Sequence, residues 1–186
     1  STDVGTNRTR AYNKSLTGIG ISNLGVGRQY LAGASANNLY AIFTGGTNTD
    51  NGSTTTIYVD NGTAYSVNLT KTDLTISNSD SRKLARASVG EYALFGSGTA
   101  FSSSLVRLTF SPIAKRDCGN ATVGNYAVFA GGIASNQIKG VDTVYAVNNS
   151  LVVTTLSNLN SATRNLAGAS LGDCAVFAGG YIDAGD

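Results

Sequence analysis

The feature that most constrains this chain is a fourfold internal repeat, because each copy must fold into the same supersecondary unit. One repeated block is apolar, carries a phenylalanine and ends in a glycine pair or a Gly-Ser-Gly variant. Its copies are Leu39-Tyr-Ala-Ile-Phe-Thr-Gly-Gly46, Tyr92-Ala-Leu-Phe-Gly-Ser-Gly98, Tyr126-Ala-Val-Phe-Ala-Gly-Gly132 and Cys174-Ala-Val-Phe-Ala-Gly-Gly180. The sequence therefore predicts a single repeat domain, 1–186, with units at about 11–46, 64–98, 100–132 and 146–180.

Two further blocks repeat in phase with the first. Upstream lies a small-residue block, with copies Leu31-Ala-Gly-Ala-Ser35, Leu84-Ala-Arg-Ala-Ser88, Cys118-Gly-Asn-Ala-Thr122 and Leu166-Ala-Gly-Ala-Ser170. Each unit starts on a third block, with copies Ala11-Tyr-Asn-Lys-Ser-Leu16, Ala64-Tyr-Ser-Val-Asn-Leu69, Ala100-Phe-Ser-Ser-Ser-Leu105 and Ala146-Val-Asn-Asn-Ser-Leu151. An arginine precedes each small-residue block, and we expect structural roles for the repeated arginines and phenylalanines: Arg28, Arg82, Arg116, Arg164, Phe43, Phe95, Phe129 and Phe177.

Each unit predicts four short strands, named a to d. Strand a is the small-residue block, and a hairpin turn such as Val123-Gly-Asn125 leads to strand b. Strand b is too continuously apolar to be half exposed, so we expect it to be buried on both faces. Strand c carries Thr56-Ile-Tyr-Val59 or Val144-Tyr-Ala-Val147, and strand d carries 69–76 or 151–156. Because glycines and β-branched runs interrupt every helical period, the predicted fold class is all-β.

A strand that ends in Gly-Gly, four strands per unit and an arginine leading into strand a together resemble the kelch repeat. Kelch blades place the glycine pair after the second strand, followed by a loop and an aromatic-bearing third strand. The chain departs from the usual pattern because it contains no tryptophan and because one glycine pair is Gly-Ser-Gly. The resemblance implies a distant, bacterial or phage-type kelch-like β-propeller of four blades.

The two ends of the chain carry complementary halves of a unit. The chain starts on strands c and d, about 6–24, and ends on strands a and b, 165–180. We expect these halves to pair and close the ring, which would remove exposed sheet edges. The alternative is that the four units form part of a larger ring, made by a longer chain or by two chains.

Cys118 and Cys174 are the two cysteines. Cys174 occupies a slot filled by Tyr92 or Tyr126 in other copies, and Cys118 occupies the slot of Leu166. Both are therefore predicted to be free thiols that pack as small buried hydrophobes.

The composition argues against an enzyme and against a metal or cofactor site. The chain has no histidine, which excludes Ser-His-Asp triads and histidine-ligated metals. Glu91 is its only glutamate and occupies an a–b turn that carries Asn125 and Asp173 in other copies, so we interpret it as a turn former. Net charge is +2 without a cluster of Lys and Arg, and no apolar run approaches the ~20 residues that cross a bilayer. We therefore expect neither a nucleic-acid nor a membrane partner.

The long segments between strands b and c are the predicted recognition surface, because loops on a rigid scaffold commonly carry binding. The expected function is a non-catalytic binding or structural module that recognises a protein or glycan, as a monomer or as a homo-oligomer that completes the ring. The alternatives are an accessory propeller of a secreted carbohydrate-active enzyme and a self-assembling scaffold or virion component. Low charge and abundant Thr and Asn favour an extracellular or surface-associated protein. The candidate binding residues are Asp50, Asn51, Tyr58, Asp60, Asn61, Asn136, Gln137 and Lys139.

Overall fold

The computed structural model describes residues 6–49, 56–58, 61–75, 84, 86–95, 99–109, 116–134 and 137–183. These residues form strands and turns, and none of them is helical, so the predicted all-β class is confirmed. The strands are β1 (Arg10–Tyr12), β2 (Gly18–Gly20), β3 (Ala32–Ala36), β4 (Tyr40–Thr44), β5 (Thr47–Thr49), β6 (Thr56–Tyr58), β7 (Asn61–Ser66), β8 (Lys71–Thr75), β9 (Arg86–Val89), β10 (Tyr92–Phe95), β11 (Thr99–Phe101), β12 (Arg107–Thr109), β13 (Gly119–Val123), β14 (Tyr126–Ala130), β15 (Val144–Asn148), β16 (Val153–Leu156), β17 (Ala167–Leu171) and β18 (Cys174–Ala178).

Three antiparallel four-stranded sheets make up the body of the molecule. Sheet I is β3-β4-β7-β8, sheet II is β9-β10-β11-β12 and sheet III is β13-β14-β15-β16. Each sheet follows the order a-b-c-d of the predicted unit. Two further pairs are the N-terminal hairpin, β1-β2, and the C-terminal hairpin, β17-β18. This arrangement is consistent with a β-propeller-like fold.

Local sequence explains the a–b hairpins. Gly90, Gly124 and Gly172 have φ angles of 52°, 52° and 53°. A two-residue hairpin needs such positive angles, which glycine adopts without a steric penalty.

The glycine pair after strand b lies where another backbone segment approaches closely. Gly46, Gly132 and Gly180 have φ angles of 94°, 87° and 98°. A side chain on Gly132 would also lie 2.7 Å from the carbonyl oxygen of Arg116. The residue after each pair then exchanges backbone hydrogen bonds with the segment just before strand a, as Ile133 does with Arg116.

Strand c of sheet I differs from the prediction. The segment Thr56–Tyr58 pairs with Thr47–Thr49 in a separate hairpin, and Asn61–Ser66 pairs with strand b instead. The physical reason is burial: the ladder that aligns Ala64 with Ile42 buries both side chains completely. Val59 lies outside the described residues.

The predicted ring closure is not formed between the described strands. Strand β18 pairs only with β17, and β1 pairs only with β2. Each hairpin is held by a different neighbour. The Tyr65 hydroxyl of sheet I donates a hydrogen bond of 2.7 Å to the carbonyl oxygen of Ser22 beside the N-terminal hairpin. The C-terminal hairpin packs on sheet III, where a side chain on Gly168 would lie 2.3 Å from the carbonyl oxygen of Asn120.

The core lies between successive sheets and repeats one packing motif. Between sheets I and II, Ile42 packs in a buried cluster with Ala93 and Phe95. Leu94 occupies the equivalent place between sheets II and III, with Ala127 and Phe129. Burial of this apolar surface is the main favourable contribution to folding.

The cysteine predictions are half right. Neither cysteine is in a disulfide, and Cys118 is buried between sheets II and III. Cys174 is exposed, against expectation. It lies on the C-terminal hairpin, where no neighbouring strand or sheet covers it among the described residues.

Candidate functional site

The four inner strands, β3, β9, β13 and β17, are joined by a chain of hydroxyl groups. The last residue of each small-residue block supplies one hydroxyl. Ser88 Oγ accepts a hydrogen bond of 3.0 Å from the backbone N–H of Ser35, and Thr122 Oγ1 donates one of 2.6 Å to the carbonyl oxygen of Ser88. Ser170 Oγ accepts a bond of 3.1 Å from the backbone N–H of Thr122. Because backbone groups take part, these bonds fix the stagger between neighbouring inner strands.

A pocket of about 440 Å³ lies where the inner strands begin. All four small-residue blocks contribute to its wall. The lining residues are Tyr30, Leu31, Leu84, Arg86, Asp117, Cys118, Asn120, Asn165 and Leu166. We refer to this cavity as the central pocket.

A recurrent backbone feature supplies part of the pocket's polar lining. Tyr30, Asp117 and Asn165 each directly precede a small-residue block and have φ angles of 58°, 56° and 59°. Left-handed backbone is uncommon for residues other than glycine, and it concentrates at turns and functional sites. The same conformation therefore presents three different polar side chains at one rim.

The remaining polar groups come from strand a itself. The third residue of the block is Gly33, Arg86, Asn120 or Gly168 in successive copies. Arg86 offers a planar array of donors, and the Asn120 amide offers both a donor and an acceptor. Together with the leucines of the lining, these polar groups match the mixed character of small-molecule sites.

Asp117 is the one acidic side chain among the described residues of the lining. Among the described residues there is no group of three His, Cys, Asp or Glu side chains that could hold a metal ion. The usual glycosidase mechanism uses two carboxylates, and the described part of the lining supplies one.

A second pocket, of about 580 Å³, opens beside the first on sheet I. It is bounded by Gly33, Ala41, Phe43 and Arg86, among others. Arg86 therefore lines both cavities.

The repeated arginines occupy two different positions. Arg116 and Arg164 exchange backbone hydrogen bonds with Ile133 and Tyr181, but in sheet I it is Gln29, and not Arg28, that does so with Thr47. Arg28 therefore lies one residue earlier in its repeat than Arg116 and Arg164 lie in theirs.

The Arg28 side chain is only 3% exposed and donates a hydrogen bond of 3.2 Å to the carbonyl oxygen of Gly45. Burial lowers the pKa of its guanidinium. Arg116 donates to the carbonyl oxygen of Gln137 at 3.3 Å. Arg82 lies outside the described residues.

Arg164 and Asp183 form a clamp at the end of the C-terminal hairpin. Arg164 Nη2 lies 2.8 Å from Asp183 Oδ1, and Arg164 Nε lies 3.2 Å from Oδ2. The Gly140 N–H donates to Asp183 Oδ2 at 2.7 Å. The hydrogen bonds from Arg164 and then from Gly140 hold the pKa of Asp183 below its usual range. The guanidinium also stacks 4.8 Å from the centre of the Tyr181 ring.

Few of the predicted loop residues can be placed. Asp50, Asn51, Asp60 and Asn136 lie outside the described residues. The backbones of Tyr58 and Asn61 belong to β6 and β7. Gln137 and Lys139 are exposed on the segment that carries Gly140, beside the clamp.

None of the described loop residues, Tyr58, Asn61, Gln137 and Lys139, is in the lining of the central pocket, and sequence reasoning missed this cavity. The signal was nevertheless present: Arg86 and Asn120 are the two polar side chains at a position that is glycine in the other copies. Because two copies carry glycine at this position, a larger polar side chain there indicates a role other than packing.

None of the described residues forms a helix that is long and apolar enough to cross a membrane. No protein-family model matches this sequence, and no curated protein matches it. Among solved structures, one described as "Structure of YjhT" is similar to 90% of this chain, with a TM-score of 0.68 and 13% sequence identity. The chain spans 64% of the length of that structure. At this identity the similarity concerns the fold alone.

Proposed function

We propose that this chain is a kelch-like β-propeller module with a non-catalytic binding role on a secreted or surface-exposed protein. The observation that carries the proposal is the central pocket, in which Tyr30, Arg86, Asp117, Asn120 and Asn165 converge from different repeats. Donors, acceptors and an aromatic ring beside apolar side chains suit a polar ligand such as a sugar or a protein side chain.

The kelch-like assignment rests on the repeat itself. Three sheets share the strand order a-b-c-d, with the glycine pair after strand b in sheets I and III and in the C-terminal hairpin. Departures such as the missing tryptophan are local and leave this order intact.

Arg86 is the residue that tests the binding role. It is exposed, it lines both pockets, and no described carboxylate lies within ion-pair distance of it. An Arg86→Ala variant should therefore fold normally, yet lose at least roughly tenfold in affinity, because a charge-assisted hydrogen bond contributes about 1.5–3 kcal/mol.

The experiment is a glycan and peptide array with the intact chain, followed by calorimetric titration of the strongest ligand. Arg107→Ala, at an exposed position on β12, is the matched control and should bind like the wild type. If Arg86→Ala and wild type bind every array ligand alike, the central pocket is not the binding site and the proposal fails.

A further inference from the structure

The central pocket carries a positive charge that the described residues do not balance. The Arg86 side chain is exposed, lines the pocket, and forms no hydrogen bond or ion pair with any residue that the structure describes. The side chains of Asn120 and Asn165, also in the lining, have no hydrogen-bond partner within the described part of the chain either. Three polar groups of the wall are therefore available to a ligand.

The one acidic side chain of the described lining acts on a different cation. Asp117 lies directly before β13, and Arg164 directly precedes the rim residue Asn165. The hydrogen bond to Asp183 is the main cause that raises the pKa of Arg164, and the negative charge of Asp117 raises it further. The backbone N–H of Asn165 also donates a hydrogen bond of 2.6 Å to the carbonyl oxygen of Asp117, which ties the two segments together. Asp117 therefore acts on Arg164, and it leaves the charge of Arg86 unbalanced.

Arg86 and Asn120 lie at the same level of two neighbouring inner strands. Each lies two residues before the hydroxyl residue of its block, Ser88 or Thr122, and residues two apart in a strand project to the same face. The hydrogen bond of 2.6 Å from Thr122 Oγ1 to the carbonyl oxygen of Ser88 joins these strands and fixes their stagger. The guanidinium and the amide thus belong to one wall of the pocket.

This wall lies inside the array of sheets. Strand β9 is bonded to β3 on one side and to β13 on the other, and β13 is bonded in turn to β17. Both strands of the wall therefore have a described neighbour on either side, independently of what adjoins the terminal hairpins. The equivalent residues of the flanking strands are Gly33 and Gly168, which have no side chain to compete with a ligand for Arg86 and Asn120.

The chemistry of the wall matches a carboxylate attached to a hydroxylated body. A guanidinium binds a carboxylate through two parallel N–H···O bonds, which are stronger than neutral hydrogen bonds because both partners are charged. One unbalanced positive charge matches a carboxylate, whereas a phosphate dianion would keep a net negative charge. The amides of Asn120 and Asn165 each combine donors with an acceptor, as hydroxyl groups require. The Tyr30 ring and the leucines of the lining suit the apolar face of a sugar ring.

We propose that the ligand of the central pocket is a carboxylated sugar of the hexuronic acid type, whose carboxylate binds the Arg86 guanidinium and whose hydroxyl groups bind Asn120 and Asn165. This inference rests on the proposed function and adds the charge and the chemical class of the ligand. The pocket volume of about 440 Å³ lies within the roughly 300–1,000 Å³ range of small-ligand sites.

Matched acidic and neutral sugars test the charge of the ligand. The intact chain is titrated calorimetrically with the methyl glycosides of glucuronate and galacturonate, and with those of glucose and galactose, which carry a hydroxymethyl group in place of the carboxylate. At least one acid should bind roughly tenfold or more tightly than its neutral counterpart, because hydrogen bonds between charged groups contribute more than neutral ones. The preference should decrease as salt is raised, because Arg86 is exposed and ions screen the pair.

Three variants assign the preference to single residues. Arg86→Gln keeps a polar side chain but removes the charge, so it should bind the acid and its neutral counterpart equally. Asn120→Ala should weaken both sugars by a similar factor and leave the preference for the acid unchanged. Arg107→Ala, at an exposed position on β12, is the control and should bind like the wild type. An unchanged melting temperature shows that each variant folds.

Equal affinity of the wild type for the acidic and neutral sugars would overturn the inference, and so would the absence of binding of either acid at millimolar concentration. A preference that persists in Arg86→Gln would place the carboxylate elsewhere and overturn it as well. The proposed function fails separately. An array ligand without a carboxylate that Arg86→Ala no longer binds would keep the binding role and exclude the acidic sugar, whereas an array on which Arg86→Ala and wild type bind alike would exclude both.

Discussion

At the scale of single residues, the turns between strands c and d share a strained position. Leucine occupies left-handed backbone in all four copies, with φ angles of 59°, 61°, 59° and 61° at Leu16, Leu69, Leu105 and Leu151. The side chain that opens each turn compensates in part. Asn148 Oδ1, for example, accepts hydrogen bonds of 2.9 Å from the N–H groups of Ser150 and Val152. Such side-chain bonds to the backbone stabilise tight turns.

Replacing a leucine there should relieve strain unless its side chain contributes to the core. The left-handed conformation costs a residue with a side chain about 1–2 kcal/mol. Glycine avoids this cost, but its greater conformational entropy in the unfolded chain offsets part of the gain. Leu69→Gly should therefore raise the free energy of unfolding by roughly 0.5–1 kcal/mol. Urea denaturation measures the change.

Leu105→Gly is the comparison for that substitution. Leu105 has the same backbone geometry but packs against the core between sheets I and II. The free energy of unfolding should therefore fall in this variant. Equal stabilisation in both variants would show that packing of the turn leucines contributes nothing.

At the scale of elements, the C-terminal hairpin depends on the Arg164–Asp183 clamp. The two side chains are only 29% and 15% exposed, so solvent screens the pair less than a fully exposed one. The clamp ties the segment before β17 to the segment after β18, and the Gly140 N–H links both to the connection that precedes β15. The hairpin is thereby fastened to sheet III, although β18 has no second partner among the described strands.

The clamp predicts a pH dependence of definite sign. Because the pKa of Asp183 is lowered in the folded protein, the unfolded state binds more protons at acidic pH. The stabilisation is present above the unfolded pKa of about 3.9 and is lost as the pH falls through the lower folded value. Asp183→Asn should therefore lower the melting temperature at pH 7, and the difference from wild type should narrow as the pH falls through the lowered pKa of Asp183.

Thermal melts between pH 2 and pH 7 measure this effect. Asp173→Asn, in the exposed a–b turn of the same hairpin, should follow the wild type throughout. A difference for Asp183→Asn that persists unchanged at pH 2 would exclude the ion pair as its cause.

At the scale of the whole molecule, stability should fall from the internal sheets toward the two terminal hairpins. Phe129 is fully buried between sheets, whereas the equivalent Phe177 is half-buried beside sheet III. In repeat architectures each unit is stabilised chiefly by its neighbours, so a unit with an uncovered face gains less.

Truncating the two phenylalanines measures that gradient. Phe129→Ala should cost about 3–5 kcal/mol, the usual range for a buried phenylalanine, and Phe177→Ala roughly half as much. Chemical denaturation of both variants gives the two values. Equal losses would mean that the C-terminal hairpin is as well covered as the internal sheets.

The sequence by itself determined what is local and periodic in this protein. The apolar run of strand b, the glycine turns and the repeated blocks encode strands of one type, because alternation and turn geometry act between residues close in the chain. The strand order of sheets I to III follows from them.

Only the tertiary structure decided which copies of each block are buried by a neighbouring sheet. Val128 and Val176 have the same local sequence. Val128 is buried and Val176 is exposed, because burial depends on a neighbour far away in the chain. Likewise, Thr56–Tyr58 has the composition of a strand c, but Asn61–Ser66 fits the β4 ladder. The central pocket is also a tertiary result: Tyr30, Arg86, Asp117 and Asn165 converge because four inner strands meet, and no single unit contains that meeting.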